Sequence, residues 1–275
     1  LQSFCGGKLM VIVLGLGLVV GVILALTGAG GGILAVPLLV FGVQMSVAQA
    51  GPIGLLAVGM AAALGAVLGL REGIVRYRAA LLIAVSGMLL SPIGLWLAHR
   101  IDNRWLSVLF ALILLYVAFK TFRQARGGAR AAVQPVKKVH PCMRDAATGR
   151  FIWTTSCARA LALSGTVAGL LSGLLGVGGG FVMVPALQRY TNLAIQSVVA
   201  TSLAVIALVS VSGVVASAAT GGMAWAVALP FSAGALAGML GGRMVSARLA
   251  GPHLQIGFAT VAALVAIGMI AKVVL

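Results

Sequence analysis

Gly28-Ala29-Gly30-Gly31-Gly32-Ile33-Leu34-Ala35-Val36-Pro37 is answered, 148 residues further on, by Gly176-Val177-Gly178-Gly179-Gly180-Phe181-Val182-Met183-Val184-Pro185. Both stretches read GxGGGxxxVP. Gly73-Ile74 is matched in the same way by Gly222-Met223, and Gly94 by Gly241, at offsets of 149 and 147. A glycine signature with a proline at a fixed distance does not recur easily by accident. The chain is therefore read as two homologous halves, 1–119 and 160–275, joined by a linker at 120–159.

The composition around these stretches excludes most other classes. Of 275 residues, 61% are hydrophobic, and only 19 Lys or Arg and three Asp or Glu carry charge. A soluble enzyme of this size needs a larger polar surface, and a disordered chain is far less apolar. An all-α polytopic membrane protein remains. One crossing takes about 20 apolar residues. Apolar stretches fall at 9–26, 33–43, 50–70, 79–98 and 105–119, then at 160–176, 181–188, 197–219, 224–240 and 252–271. The first is read as a membrane segment, because no small-residue cleavage box leading into a soluble domain follows it. The net charge of +16 is read as the basic bias of cytoplasmic loops, not as a nucleic-acid surface. The linker carries Lys120, Arg123, Arg126, Arg130, Lys137, Lys138, Arg144, Arg150 and Arg159 against Asp145, which places it inside, within reach of anionic lipid headgroups. Trp96, Trp105, Trp153 and Trp225 read as interface anchors. Cys5, Cys142 and Cys157 show no metal-binding spacing and read as incidental thiols.

Each glycine run interrupts an apolar stretch. Three consecutive glycines weaken a helix by up to about 1 kcal/mol each. Irregular backbone at membrane depth survives only where protein or a water-lined cavity covers it. Short, glycine-interrupted segments at matching places in two halves point to a transporter's central site; tight helix packing is the competing explanation. No acid, Lys or Arg lies within an apolar stretch, so a carboxylate relay or carboxylate cation site is not expected, although a Na⁺ site made of carbonyls and hydroxyls stays open. No metal site or cofactor motif is recognised, and no nucleophile and base are placed for an intramembrane enzyme. An anion can instead be held by backbone N–H groups at helix N-termini. Helices starting at 33 and 181 would present such groups, and Gly30, Gly31, Gly32, Gly178, Gly179 and Gly180 would let an oxyanion approach the backbone. The hydroxyls of Thr27, Ser172, Thr201 and Ser202 would add donors, or bond back to their own helices. Pro37 and Pro185 would fix the starts of these helices or kink them.

With the linker inside, counting back over two crossings places Arg71, Arg76 and Arg78 inside and 99–104 outside. If each glycine run forms a hairpin that enters and returns, Arg189, Arg243 and Arg248 fall inside too, and Thr220-Gly221-Gly222 outside. Each half then holds a glycine-interrupted hairpin plus three transmembrane helices, an odd number of crossings, and the halves form an inverted repeat. A parallel repeat of two four-helix halves is the alternative.

The doubled GxGGGxxxVP, with Ala200-Thr201-Ser202-Leu203 and the turns at Gly73 and Gly222, resembles the sulfite exporter TauE/SafE family. The resemblance covers the chain apart from the linker. It implies a permease of the bacterial inner membrane that exports or takes up a small inorganic or organosulfur anion such as sulfite or a sulfonate. It also implies that the two glycine runs with their prolines are central and that Thr201 and Ser202 are the family's hydroxyl pair. Where the first half would carry a matching pair it has Gly51-Pro52-Ile53. Neither the coupling ion, H⁺ or Na⁺, nor the direction of transport follows. An anion channel using the same backbone donors is the alternative function.

Overall fold

A computed structural model describes residues 2–28, 30–127, 142, 154–191, 193–219, 221, 223–249 and 252–274. Among the described residues the chain forms α1 (Gln2–Thr27), α2 (Gly30–Gly42), α3 (Val47–Arg71), α4 (Tyr77–Arg100), α5 (Asn103–Gly127), α6 (Thr155–Leu175), α7 (Gly180–Tyr190), α8 (Ile195–Ala219), α9 (Trp225–Leu249) and α10 (Pro252–Val274). Seven of these helices, α1, α3, α4, α5, α6, α8 and α9, are long and apolar enough to cross a membrane. The protein is an all-α, polytopic membrane protein. Its outer surface is apolar, with Val11 71% and Leu89 69% exposed, as lipid contact requires. The linker residues 128–141 and 143–153, and with them Trp153, lie outside the described residues.

Local chemistry sets the helix ends. Ser46 caps α3 by accepting from the Gln49 N–H while the Gln49 side chain accepts from the Ser46 N–H. The short helices α2 and α7, 13 and 11 residues long, begin earlier than expected, on the last glycines of each run rather than after them. Tertiary packing of buried backbone overrides the low helix propensity of glycine here. Neither proline starts its helix: Pro37 and Pro185 both lie inside.

Two glycine seams tie the bundle together. On α1 and α9, Gly17, Gly21, Gly234, Gly238 and Gly242 press against the partner helix so closely that a Cβ at any of them would overlap its backbone or Cβ atoms. On α4 and α6 the same holds for Gly94, Gly165, Gly169 and Gly173. Small residues at every fourth position permit this approach in lipid, where no hydrophobic force drives helices together. Gly17 meets Phe231 and Gly21 meets Ala235, so α1 and α9 run parallel. Gly165 meets Ile83 and Gly173 meets Ser91, so α4 and α6 run parallel too. Between the seams α3 and α8 pack antiparallel: Gly59 meets Ser210, Gly65 meets Leu203 and Gly69 meets Ala200. Helix α5 packs on α10 at the periphery.

These directions sort the helix ends into two faces. Glu72 and Arg243 form an ion pair, which brings the α3–α4 turn and the end of α9 to one face together with Arg71, Arg76 and Arg78. The opposite face holds the α4–α5 turn and the start of α9, with the exposed Trp96, Trp105 and Trp225. Val47 donates its N–H to Asn103 Oδ1 (3.0 Å), which fixes the start of α3 on that tryptophan face.

The cysteines are not all incidental. Cys142 and Cys157 form a disulfide that closes a sequence separation of 15 residues. The Cys142 N–H also donates to Tyr190 O (3.1 Å), so this point of the linker is fastened where α6 begins and α7 ends. Their distance in sequence and the absence of a metal-like spacing hid the pairing; only the hairpin of α6 and α7 brings the sites together. The Cys5 side chain lies outside those described. In oxidised, purified protein, Cys157→Ser is expected to lower stability by about 3 kcal/mol, the chain-entropy value for a loop of this size. A thermal or denaturant midpoint, compared with that of the oxidised wild type, checks this, and the reduced wild type should match the variant.

Candidate functional site

The two glycine runs meet inside the bundle. A Cβ on Gly32 would stand 2.5 Å from Val177 O and 3.3 Å from Val58 Cγ1, and a Cβ on Gly178 would stand 3.5 Å from the same methyl. Val58 lies near the middle of α3, which places the meeting point well inside the bundle. Gly28, Gly176, Gly178 and Gly179 all have positive φ, between 65° and 74°. At Gly178 and Gly179 two consecutive left-handed residues turn the chain from α6 into α7 in buried surroundings, which a side chain would resist. Gly179 caps α7 without any side-chain hydrogen bond to its first N–H groups. Gly179 O takes the N–H groups of Val182 (3.1 Å) and Met183 (3.3 Å), and the N–H groups of Gly180 and Phe181 before them carry the positive end of the helix dipole.

The expected residues divide into several groups. Gly32 and Gly178 lie at the meeting point, with Gly179 and Gly180 opening α7 beside it. Gly30 starts α2. Gly31 belongs to packing: a Cβ there would stand 2.5 Å from Val20 O, at the crossing of α1 and α2. Thr27 and Ser202 lie by the Gly28 turn. Thr27 Oγ1 donates to Ile23 O (2.7 Å), and Ser202 Oγ donates to Val199 O (2.8 Å) with Gly28 O at 3.5 Å. Thr201 is buried and accepts from the Arg76 N–H (3.1 Å), joining α8 to the α3–α4 turn. Ser172 is fully buried on α6, and its hydroxyl has no partner.

At Gly51-Pro52-Ile53, α3 passes the second glycine turn. Gly176 lies against the Gly51 backbone, and a Cβ on Gly54 would stand 3.1 Å from Gly176 O. A Cβ on Gly176 would overlap the Gly51 backbone, so it is the second glycine turn that has to stay free of side chains where α3 passes it.

The sequence reading missed two buried hydroxyls beside the site, Ser210 on α8 and Ser91 on α4, neither of which has a hydrogen-bond partner. Ser210 Oγ is 3.5 Å from the position of a Gly178 Cβ and 3.2 Å from that of a Gly59 Cβ. Ser232 on α9 is likewise buried and unpaired. Serine is common in membrane helices and bonds back to its own helix, as Ser164 does to Leu161 O (2.8 Å), so sequence has no signal that separates the two kinds. Each unpaired buried hydroxyl costs about 1–3 kcal/mol. The Nε of Arg76 is also buried without a partner. No cluster of three or more His, Cys, Asp or Glu side chains occurs among the described residues.

The sequence profile of the family described as "Sulfite exporter TauE/SafE" matches residues 13–269. The chain belongs to this family. It is 29% identical over 248 residues to a "Probable membrane transporter protein" of Xylella fastidiosa (strain 9a5c), covering 89% of this chain and 88% of the relative. It is 27% identical over 236 residues to "Probable membrane transporter protein YunE" of Bacillus subtilis (strain 168), covering 82% and 84%. A second Xylella fastidiosa protein of the same description, from strain Temecula1, is 29% identical over 247 residues. No solved structure matches. The bacterial relatives and the seven long apolar helices make this a multi-pass protein of the bacterial inner, cytoplasmic membrane, and the family is one of transporters, not enzymes.

Gly32→Val is expected to force the two glycine turns apart and to cost about 1–3 kcal/mol, as overpacking does. Gly15→Ala on α1, where a Cβ meets nothing within 4 Å, is expected to keep or raise the unfolding midpoint. Thermal unfolding of the two purified variants beside the wild type checks the pair. Equal midpoints for both variants would remove the tight junction.

Proposed function

We propose that this protein is a secondary transporter that moves a small sulfur-containing anion, sulfite or an organosulfonate, by alternating access around its two glycine-broken hairpins. The observation that carries this reading is the convergence of Gly32 and Val177-Gly178 in the interior of the bundle. Two short helices, α2 and α7, thereby begin near one place, and helix N-termini favour anions. The charged residues of α3, α4, α6 and α8, namely Arg71, Arg78, Arg100 and Arg159, sit at helix ends, so neutral donors must hold the cargo. The sulfur chemistry of that cargo rests on the family's name. A coupling ion, H⁺ or Na⁺, is not assigned.

The helix directions favour an inverted over a parallel repeat. Helices α3 and α8 hold the same place in each half and run antiparallel. Exchanging the halves carries the α1–α9 seam onto the α6–α4 seam and leaves the α3–α8 and α5–α10 pairs in place. Each half then contributes a hairpin and three crossings, with both ends of the linker on the arginine face. The basic bias of cytoplasmic loops puts that face inside, where the linker's cations meet anionic lipids and where Cys142 and Cys157 would be held as thiols, the disulfide forming in oxidised, isolated protein.

Counterflow of labelled sulfite in proteoliposomes tests the transport reading. Saturable exchange that is accelerated by unlabelled sulfite or a sulfonate on the far side is the expected result. Single-channel conductance without counterflow would make the protein a pore, and absence of any flux by folded protein would remove sulfite as cargo. For topology, Asp102→Cys is expected to react with a membrane-impermeant thiol reagent applied to spheroplasts, and Glu72→Cys to be protected, each in a background with the native cysteines replaced by serine. The reverse pattern would turn the molecule over.

A further inference from the structure

Resting on the anion site proposed above, we propose that Ser172, Ser210 and Ser91 form its hydroxyl wall. This wall belongs to the α4–α6–α8 side alone and takes a small, dehydrated oxyanion.

The three side chains surround the turn that feeds α7. Ser210 Oγ faces Gly178 from α8. Ser91 Oγ lies 3.4 Å from where a Gly213 Cβ would be, and Gly213 follows Ser210 by three residues on α8, about 4.5 Å along the helix axis. Ser172 stands four residues after Ala168, on the same stripe of α6, and Ala168 touches the position of a Gly179 Cβ at 3.1 Å. That stripe faces the start of α7. All three hydroxyls are at least nine-tenths buried and have no partner. Ser210 stands at that turn, with Ser91 about one helical turn along α8 and Ser172 on the stripe of α6 that faces α7.

The chemistry of this lining selects its ligand. An apolar solute would leave the hydroxyls and the N–H groups unpaired. A cation would meet the positive end of the α7 dipole. A compact oxyanion accepts from several directions at once and supplies each donor with the partner it lacks. Ser202, which carries the family's pattern, has its hydrogen engaged with Val199 O, so the donor role passes to the unpaired serines.

The wall is one-sided. The repeat offsets place Leu24 opposite Ser172, Ala62 opposite Ser210 and Gly238 opposite Ser91. The α1–α3–α9 side thus carries no hydroxyl at any of the three equivalent positions. Pseudosymmetry of the backbone does not extend to the ligand, which hangs on the second glycine turn while the first closes against it.

The test uses the purified full-length protein in lipid nanodiscs, with its thermal midpoint titrated against sulfite, sulfate, ethanesulfonate and chloride. The wild-type midpoint is expected to rise saturably with an oxyanion and not with chloride. Ser210→Ala and Ser172→Ala should each need about tenfold more oxyanion for the same rise, the loss of one hydrogen bond to a charged group. Their ligand-free midpoints should not fall below the wild type's, because no existing bond is removed. Ser210→Cys, similar in shape but a poor donor, should show the same loss. Ser164→Ala, whose hydroxyl is bonded to its own helix, should leave the oxyanion response unchanged. Serine variants that respond like the wild type, or that lose ligand-free stability with no change in response, would overturn the wall and leave the anion site standing. A wild type that responds to no anion would remove the site and the wall together.

Discussion

Backbone-to-backbone contact between helices is the constraint on which the rest of the structure depends. Lipid tails are as apolar as leucine, so burying side chains against one another gains little, and close packing of surfaces has to hold the helices together. At Gly17, Gly21 and Gly238 on one seam, and at Gly169 and Gly173 on the other, the approach is so close that no side chain fits. Both seams join a helix of the first half to one of the second. The parts of the chain before and after the linker are interlocked through α1 with α9 and α4 with α6, and do not stand side by side.

Once the seams are fixed, the interior has to satisfy its own polar groups, because water is absent. Most of it does so helically. Several of the exceptions lie together, while Ser232 and the Nε of Arg76 are unpaired elsewhere. The turns at Gly28 and Gly176–Gly179 break the ladder, and the hydroxyls of Ser172 and Ser210 lack partners near the second of them. Other polar groups are paired: Ser46 with Gln49, the Val47 N–H with Asn103, and the Arg76 N–H with Thr201. A transporter has reason to leave donors unpaired where a ligand alternates with its absence, since a donor bonded permanently to protein has nothing to offer.

Much of this was legible in the sequence, and what was not has physical causes. The duplicated GxGGGxxxVP marked the two breaks, and the apolar stretches marked the long helices. The family assignment followed from the same motif. The roles of individual glycines were hidden, because Gly31 and Gly32 are adjacent and identical in sequence yet one packs on its own hairpin and the other meets the opposite half. Only three-dimensional neighbours separate them. The same holds for the serines: Ser164 and Ser172 lie on one helix, and only the accessible carbonyls decide which is bonded. The disulfide between Cys142 and Cys157 was hidden because its geometry is set by the hairpin of α6 and α7, which spacing does not encode.

The seams would also restrict the alternating-access cycle proposed above. A shear between helices needs contacts that yield. At the glycine seams the contacts are carbonyl against backbone, and sliding would drive atoms through one another before the next register is reached. Between α3 and α8 the contacts are of another kind: Gly59 meets the Ser210 side chain, Gly65 the end of Leu203, Gly213 the end of Leu55. Side-chain ends change rotamer at small cost. In the alternating access proposed above, the bodies that would move are α1–α9 with α3, and α4–α6 with α8, with the antiparallel α3–α8 contact between them. The two glycine turns sit on opposite bodies, so the backbone contacts of Gly51 with Gly176 and of Gly32 with Val177 would have to part when one body moved against the other.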